Sequence, residues 1–245
     1  MQALPTTLIA YCGAAAVPAD LWQRWNFDPL LMGAVLLLAL CVGRGGSADA
    51  RAGWAAIGLM LLIFVSPLCA LSSALFAARV LHHVLLIAVV APLLALAFPM
   101  RWLGTPPLAL LVAVNAAVLW LWHAPGPYAW GLASVPAYWV MQLTLLASAW
   151  LLWRAVLSAA TPAGAALFAL ASTVGQMGLL GALIVFAPRP LYWVHFESTA
   201  AWGLSPLADQ QLAGLLMWVP AMLPYLVLGL RLAWSGLRRA GAPAS

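Results

Sequence analysis

Residues 75–96 read LFAARVLHHVLLIAVVAPLLAL, with one arginine and two histidines near the start and an unbroken apolar run after them. At about 1.5 Å rise per residue, such a run crosses the roughly 30 Å hydrocarbon core of a bilayer. It lacks the strict polar–apolar alternation of a barrel strand, so it reads as a helix that satisfies its own backbone groups. The rest of the 245-residue chain is alike. Hydrophobic residues make up 66% of it and charged residues 6%, with no lysine at all, whereas a soluble domain carries about a quarter charged residues. The chain is predicted to be an all-α integral membrane protein, one polytopic domain over 1–245.

Outward from the quoted stretch, seven spans are predicted: roughly 28–43, 53–72, 80–99, 107–124, 136–157, 162–187 and 210–235. Gly43-Arg44-Gly45-Gly46, Pro125-Gly126-Pro127 and Pro188-Arg189-Pro190 punctuate them. The bundle then fills 28–235, with an extracytoplasmic segment 1–27 and a cytoplasmic tail 236–245. Leu8 to Val17 is a signal-like stretch ending in Val17-Pro18-Ala19, but no arginine or lysine precedes Arg24 to supply a positive start. With or without cleavage, the N-terminus is predicted outside.

Orientation follows from the arginines. Taken loop by loop, Arg44, Arg51, Arg101, Arg154, Arg231, Arg238 and Arg239 share one side, while Arg24, Arg79 and Arg189 share the other with Asp20, Asp28, Glu197 and Asp209. Short-loop arginine bias places the first side in the cytoplasm, which also accounts for the net charge of +5 without a nucleic-acid partner. Tryptophans near span ends, such as Trp54, Trp102, Trp193 and Trp234, read as an interfacial belt. Cys12, Cys41 and Cys69 form no CxxC pair and read as small apolar packing residues.

All four histidines fall on the predicted outer side. His82 and His83 open the third span, and their directions differ by about 100° on a helix. His83 shares a face with Arg79, four residues earlier, and is expected inward, leaving His82 toward headgroups or a loop. Pro125 should end the fourth span near His123, at the depth of His83. In the last outer loop His195 reads as solvated rather than ligating. Asp209 reads as a helix N-cap. Gln210, Gly214 and Met217 recur at helical spacing, and Gly214 permits a close helix contact. Met217 and, further off, Met177 are thioethers that suit reduced copper, as imidazole suits copper generally.

Three segments, LFAARVLHHVLLIAVVAPLLAL, WLWHAPGPY (residues 120–128) and PLADQQLAGLLMWVP (206–220), together resemble the CtaG family of cytochrome c oxidase assembly factors. FDPLLMGAVLLLALCVGRG (27–45) and GLLGALIVFAPRPLY (178–192) are also similar to it. This is the multispan bacterial family, distinct from the single-span copper chaperone of the same name. The resemblance implies a seven-span inner-membrane protein, not an enzyme, that contacts cytochrome c oxidase subunits and aids maturation of copper centres. His83 matches the histidine of the family's His-Met-Leu-Leu segment, His123 that of its Trp-His-x-Pro motif, and Asp209 with Gln210 its Asp-Gln pair. Two positions depart from the pattern: Arg79 and Gln142 stand where the resemblance implies further histidines. His83 and His123 are thus the candidate copper ligands, with Met217 assisting, and Arg79, His82, Asp209 and Gln210 shaping the site. The alternatives are a b-type cytochrome with His83 and His123 as axial haem ligands, or a small transporter. Matched broken helices and a midplane charge, usual in transporters, are missing from the sequence.

Overall fold

The computed structural model describes residues 11–100, 104 and 106–240, the side chains of 239 and 240 excepted. Arg101, Trp102, the start of the signal-like stretch, the Arg239 side chain and residues 241–245 lie outside the described residues. Among those described, regular structure is entirely helical. Its elements are α1 (Pro29–Gly43), α2 (Ala50–Phe64), α3 (Pro67–Ala74), α4 (Phe76–Leu85), α5 (Ala91–Ala97), α6 (Leu108–His123), α7 (Pro125–Leu132), α8 (Val135–Val156), α9 (Ala163–Phe186), α10 (Pro206–Trp218) and α11 (Leu223–Ala240), with short 3-10 turns between some of them.

Four stretches are long and apolar enough to cross a membrane: Phe76–Ala97, Val135–Val156, Ala163–Phe186 and Pro206–Arg238. Two bent pairs, α2 with α3 at 47° and α6 with α7 at 75°, raise the number to six if each counts as one span. The predicted first span is the 15-residue helix α1, short for a crossing. All seven predicted stretches are therefore helical, but four to six meet the length of a span. The bends have a common cause. Pro67 and Pro125 each begin a helix, and proline pushes the residue before it out of the helical region. α6 accordingly ends at His123, where the sequence placed its end.

The quoted stretch is continuous but widened. Leu86–Val90 forms a π-helical turn joining α4 to α5, just ahead of Pro92. Proline has no N–H, so one carbonyl of this turn loses its partner. The indole Nε1–H of Trp153 on α8 donates to the Ile87 carbonyl at 2.9 Å and fills that vacancy. Lower on α8, Arg154 donates to the carbonyls of Met100 and Gly104, both at 2.9 Å, and so fastens the α5–α6 connection.

α10 lies against both α4 and α9. Its approach to α9 depends on two glycines, as the sequence anticipated for one of them. A Cβ on Gly214 would stand 2.7 Å from the Gly181 carbonyl oxygen and 3.0 Å from the Val185 amide nitrogen. Backbone atoms cannot rotate away as a side chain can. Gly214→Val is therefore expected to lower stability by about 1–3 kcal/mol, the usual range for overpacking, read as a depressed melting temperature in detergent. An unchanged melting temperature would show that the two helices can separate at no cost.

The cysteines differ from expectation. Cys12 and Cys69 form a disulfide across 57 residues of chain, tying the N-terminal segment to α3. Cys41 is free and exposed. Wide sequence spacing concealed the pair, since a disulfide depends on Cα proximity, here 5.2 Å, which only the fold creates. Trp54, Trp193 and Trp234 are exposed, in keeping with an interfacial belt.

Candidate functional site

The site gathers where α4, α6 and α8 converge under the loop 187–205. Within the buried face of α4, Arg79, His82 and His83 are all essentially inaccessible, at 0, 0 and 1% exposure. The expectation for His83 holds in burial, but His82 does not face headgroups. Its ring meets Phe64 edge-on, with centroids 4.8 Å apart, because α2 and the α2–α3 bend cover that side of α4. Neither ring nitrogen of His82 reaches a hydrogen-bond partner.

His83 and His123 come together. Their ring centroids are 5.5 Å apart, edge to face at 82°, and His82 lies 6.0 Å from His83. The His123 Nδ1 is 2.8 Å from the Leu119 carbonyl. A carbonyl only accepts, so Nδ1 carries the proton and Nε2 presents a lone pair, without a partner in this buried setting. The Nε2 of His83 lies 3.3 Å from the Gln142 amide nitrogen, leaving His83 Nδ1 and Gln142 Oε1 unpartnered. Gln142, the position where the resemblance implies histidine, thus faces His83. Among the described residues no cluster of three or more His, Cys, Asp or Glu has metal-holding proximity. Met217 and Met177 are buried in the core on α10 and α9, and no observed contact brings either thioether to the imidazole pair.

Arg79 is the unusual member. Its guanidinium lies 5.2 Å from the Tyr138 ring centroid, close to the hydroxyls of Tyr128 and Tyr138, though none of its nitrogens makes a well-formed hydrogen bond among the described residues. The only ion pair among the described residues is Arg24 with Asp20, at the N-terminal segment. Hydrogen bonding there and the Arg24 charge hold the Asp20 carboxyl below the usual carboxylate range. Arg79 lies within Coulombic reach of His82, His83, Tyr128, Tyr138 and His195.

Asp209 is buried but does not cap its own helix. Ser205 does so, accepting from the Ala208 N–H at 3.1 Å. The Asp209 carboxylate instead accepts from the N–H groups of Phe76 and Ala77, at 2.7 and 3.1 Å. It therefore caps α4, whose own N-cap residue is Leu75 and offers no side-chain acceptor. Gln210 beside it accepts from the Leu191 N–H at 2.6 Å and donates to the Ile184 carbonyl at 3.1 Å, anchoring the start of the loop 187–205. Both residues of the Asp-Gln pair shape the site through other elements.

The loop is a packed roof. His195, expected to be solvated, is 2% exposed, and its Nε2 shares a hydrogen bond of 2.7 Å with the Tyr128 hydroxyl. The Tyr192 hydroxyl donates to the His123 carbonyl at 2.7 Å, and Phe76 stacks on Tyr192 at 3.6 Å. Aromatic neighbours exclude water from the His195 side chain, although much of the loop around it is exposed, which the sequence alone could not show. Burial pushes the His195 imidazole down to about 3, from an unfolded value of about 6.5. The unfolded chain thus binds a proton near pH 6 and the folded protein does not. The stabilisation is complete above about pH 6.5 and declines between about 6.5 and 3, by at most about 1.4 kcal/mol per pH unit. His195→Gln is expected to flatten the melting temperature over pH 6.5–4 relative to wild type; parallel curves would refute this.

These features define a class: a helical membrane protein with buried imidazoles, a buried guanidinium outside any ion pair among the described residues, and a cross-helix carboxylate beside the loop 187–205. The model of the family described as cytochrome c oxidase caa3 assembly factor, Caa3_CtaG, matches residues 99–239, more than half of the chain. The chain belongs to that family. The matched range includes His123, Gln142, His195, Asp209 and Gln210, whereas Arg79, His82 and His83 precede it. No curated protein and no solved structure matches the chain.

Proposed function

We propose that this protein is a non-enzymatic factor of the bacterial inner membrane that passes copper to cytochrome c oxidase subunits, with His83 and His123 as the imidazole donors. The observation that carries this reading is the meeting of the two rings, 5.5 Å apart, with the His123 Nε2 lone pair unclaimed. Copper is cargo in this reading. Two neighbouring neutral imidazoles suit the low coordination number accepted by the reduced ion. A donor set without a third His, Cys, Asp or Glu suits transient transfer more than storage. Met217 and Met177 enter the site only if α9 or α10 shifts. Family membership supports the oxidase connection.

The proposed topology has seven spans, with α1 as a short first crossing, the N-terminus outside and the C-terminus cytoplasmic. The Cys12–Cys69 disulfide supports it, because such bonds persist in oxidising compartments outside the cytoplasm. In this topology Arg44, Arg51, Arg231 and Arg238 belong to the opposite side, in keeping with short-loop charge bias. Nothing in the site supports the haem or transporter alternatives. The two rings meet edge to face with no plate-shaped gap between them.

A deletion strain tests the proposal, assayed for oxidase activity and oxidase copper content and complemented with wild type, His83→Ala or His123→Ala. The expected result is copper-poor oxidase in the deletion, restored by wild type and by neither variant. Normal oxidase in the deletion removes the assembly role. Full rescue by both variants removes the site but leaves that role standing.

A further inference from the structure

The Cys12–Cys69 disulfide has two features that a covalent staple does not need. Hydrogen-bond donors meet both of its sulfurs. The Tyr138 hydroxyl lies 3.9 Å from Cys12 Sγ, and a half-cystine has no proton to give, so the hydroxyl is the donor. The Asn26 side-chain amide donates to Cys69 Sγ at 3.8 Å and to the Phe64 carbonyl at 3.1 Å, one hydrogen to each. The sulfurs also differ in access. Cys69 is fully buried, whereas Cys12 is partly exposed and lies in a turn outside any helix.

The surroundings favour negative charge on these sulfurs. Cys69 sits in the first turn of α3, where the helix dipole supports a thiolate. The Tyr138 hydroxyl that meets Cys12 also lies close to the Arg79 guanidinium, a buried cation in no ion pair among the described residues. Thiolate suits Cu(I), and two thiolates around one Cu(I) form a complex with net negative charge. The guanidinium that opposes a bare cation at His83 attracts such a complex. Resting on the reading of copper as cargo, we propose that Cys12 and Cys69 are a redox-gated Cu(I) site, closed as the disulfide and open as the dithiol. A dithiol reductant brought to the outer face opens it by exchange. One of its thiolates attacks the accessible Cys12 Sγ, the S–S bond breaks, and Cys69 leaves as a thiolate held by the Asn26 amide. The reductant's second thiol then displaces Cys12 from the mixed disulfide. Two electrons pass to the pair, and the reductant ends as a disulfide with its two protons on Cys12 and Cys69. Binding of one Cu(I) between the sulfurs releases both protons.

The test uses the full-length protein in detergent carrying Cys41→Ser, which removes the remaining free thiol. A water-soluble phosphine reduces it, maleimide labelling reads the thiols, and Cu(I) itself is the probe, in competition with a chromogenic chelator. The expected result is release of both thiols well below the melting temperature. Reduced protein then holds about one Cu(I) per chain more than oxidised protein. Tyr138→Phe keeps the ring, loses the donor, and is expected to weaken this added site about tenfold, the worth of one hydrogen bond to a charged acceptor. Arg79→Met is expected to weaken it as well, while tightening Cu(I) at the imidazoles of the oxidised protein. Thiols released only on unfolding mark a staple and overturn the proposal. So does equal Cu(I) binding by reduced and oxidised protein. The two copper sites fail separately: Cu(I) held only after reduction removes the imidazole site and keeps this one, and Cu(I) lost only with His83→Ala and His123→Ala does the reverse.

Discussion

Asp209→Ala is expected to destabilise the protein by about 2–4 kcal/mol and to reduce its accumulation in the membrane. Two N–H groups at the start of α4 have the Asp209 carboxylate as acceptor, and the site is closed to water. Each orphaned buried donor costs roughly 1–3 kcal/mol, and relief from burying a carboxylate offsets part of the sum. A helix N-terminus also favours negative charge near it, adding a few tenths to about 1 kcal/mol. Asp209→Asn keeps one acceptor oxygen and should recover part of the loss. The comparison that decides the matter is Ser205→Ala, which removes the cap of α10 itself and should cost about 1 kcal/mol. If Asp209→Ala melts no lower than Ser205→Ala in detergent, the carboxylate is not what holds α4 in place. Because α4 carries Arg79, His82 and His83, the same variant should also loosen the imidazole pair. Reduced copper binding by protein that remains folded would show that second effect.

The fold was legible wherever one helix could be read alone. Apolar length put helix in all seven predicted stretches but missed α7 and the break between α10 and α11, and Pro125 gave the end of α6, since both signals are local. What the sequence could not supply was pairing. Cys12 and Cys69 stand 57 residues apart, and nothing in their neighbours announces a bond. Nor does composition separate a full crossing from α1, which is as apolar as the four long spans but has only 15 residues. The widened turn at Leu86–Val90 had a local sign in Pro92. Its partner, Trp153, lies on another helix and carried none.

The site was legible in depth and not in direction. Placing His83 and His123 at a common level required only span ends, and the rings do meet. Placing His82 required knowing that Phe64 covers its side of α4. The misreading of His195 has the same origin. Loop residues are usually exposed, as many in this loop are, but Tyr128, Tyr192 and Phe76 bury His195. Asp209 bore the right chemistry and the wrong partner. A buried acid near a helix start suggests a cap, and only the approach of α10 to α4 reveals which helix receives it.

Arg79→Met is expected to tighten Cu(I) binding about 30-fold without lowering the melting temperature, and the two parts have one cause. The guanidinium is fully buried with no carboxylate beside it. Contact with the Tyr138 ring returns about 2 kcal/mol when desolvated, while the effective penalty for burying an ion is several kcal/mol. Methionine fills a similar volume and needs no partner, so stability should hold or rise. The same charge opposes a cation at His83, one helical turn away. For a separation of roughly 8 Å and an effective dielectric of about 20, the repulsion is about 2 kcal/mol, which is about 30-fold in Kd. Competition against a chromogenic Cu(I) chelator measures the affinity, and the melting curve supplies the stability. Arg79→Lys keeps the charge and should leave the affinity weak, which separates electrostatics from shape. A fall in melting temperature for Arg79→Met would mean that the Tyr128 and Tyr138 hydroxyls together with the Tyr138 ring outweigh the burial penalty. Equal affinity in wild type and Arg79→Met would mean that copper, wherever it binds, is not at His83.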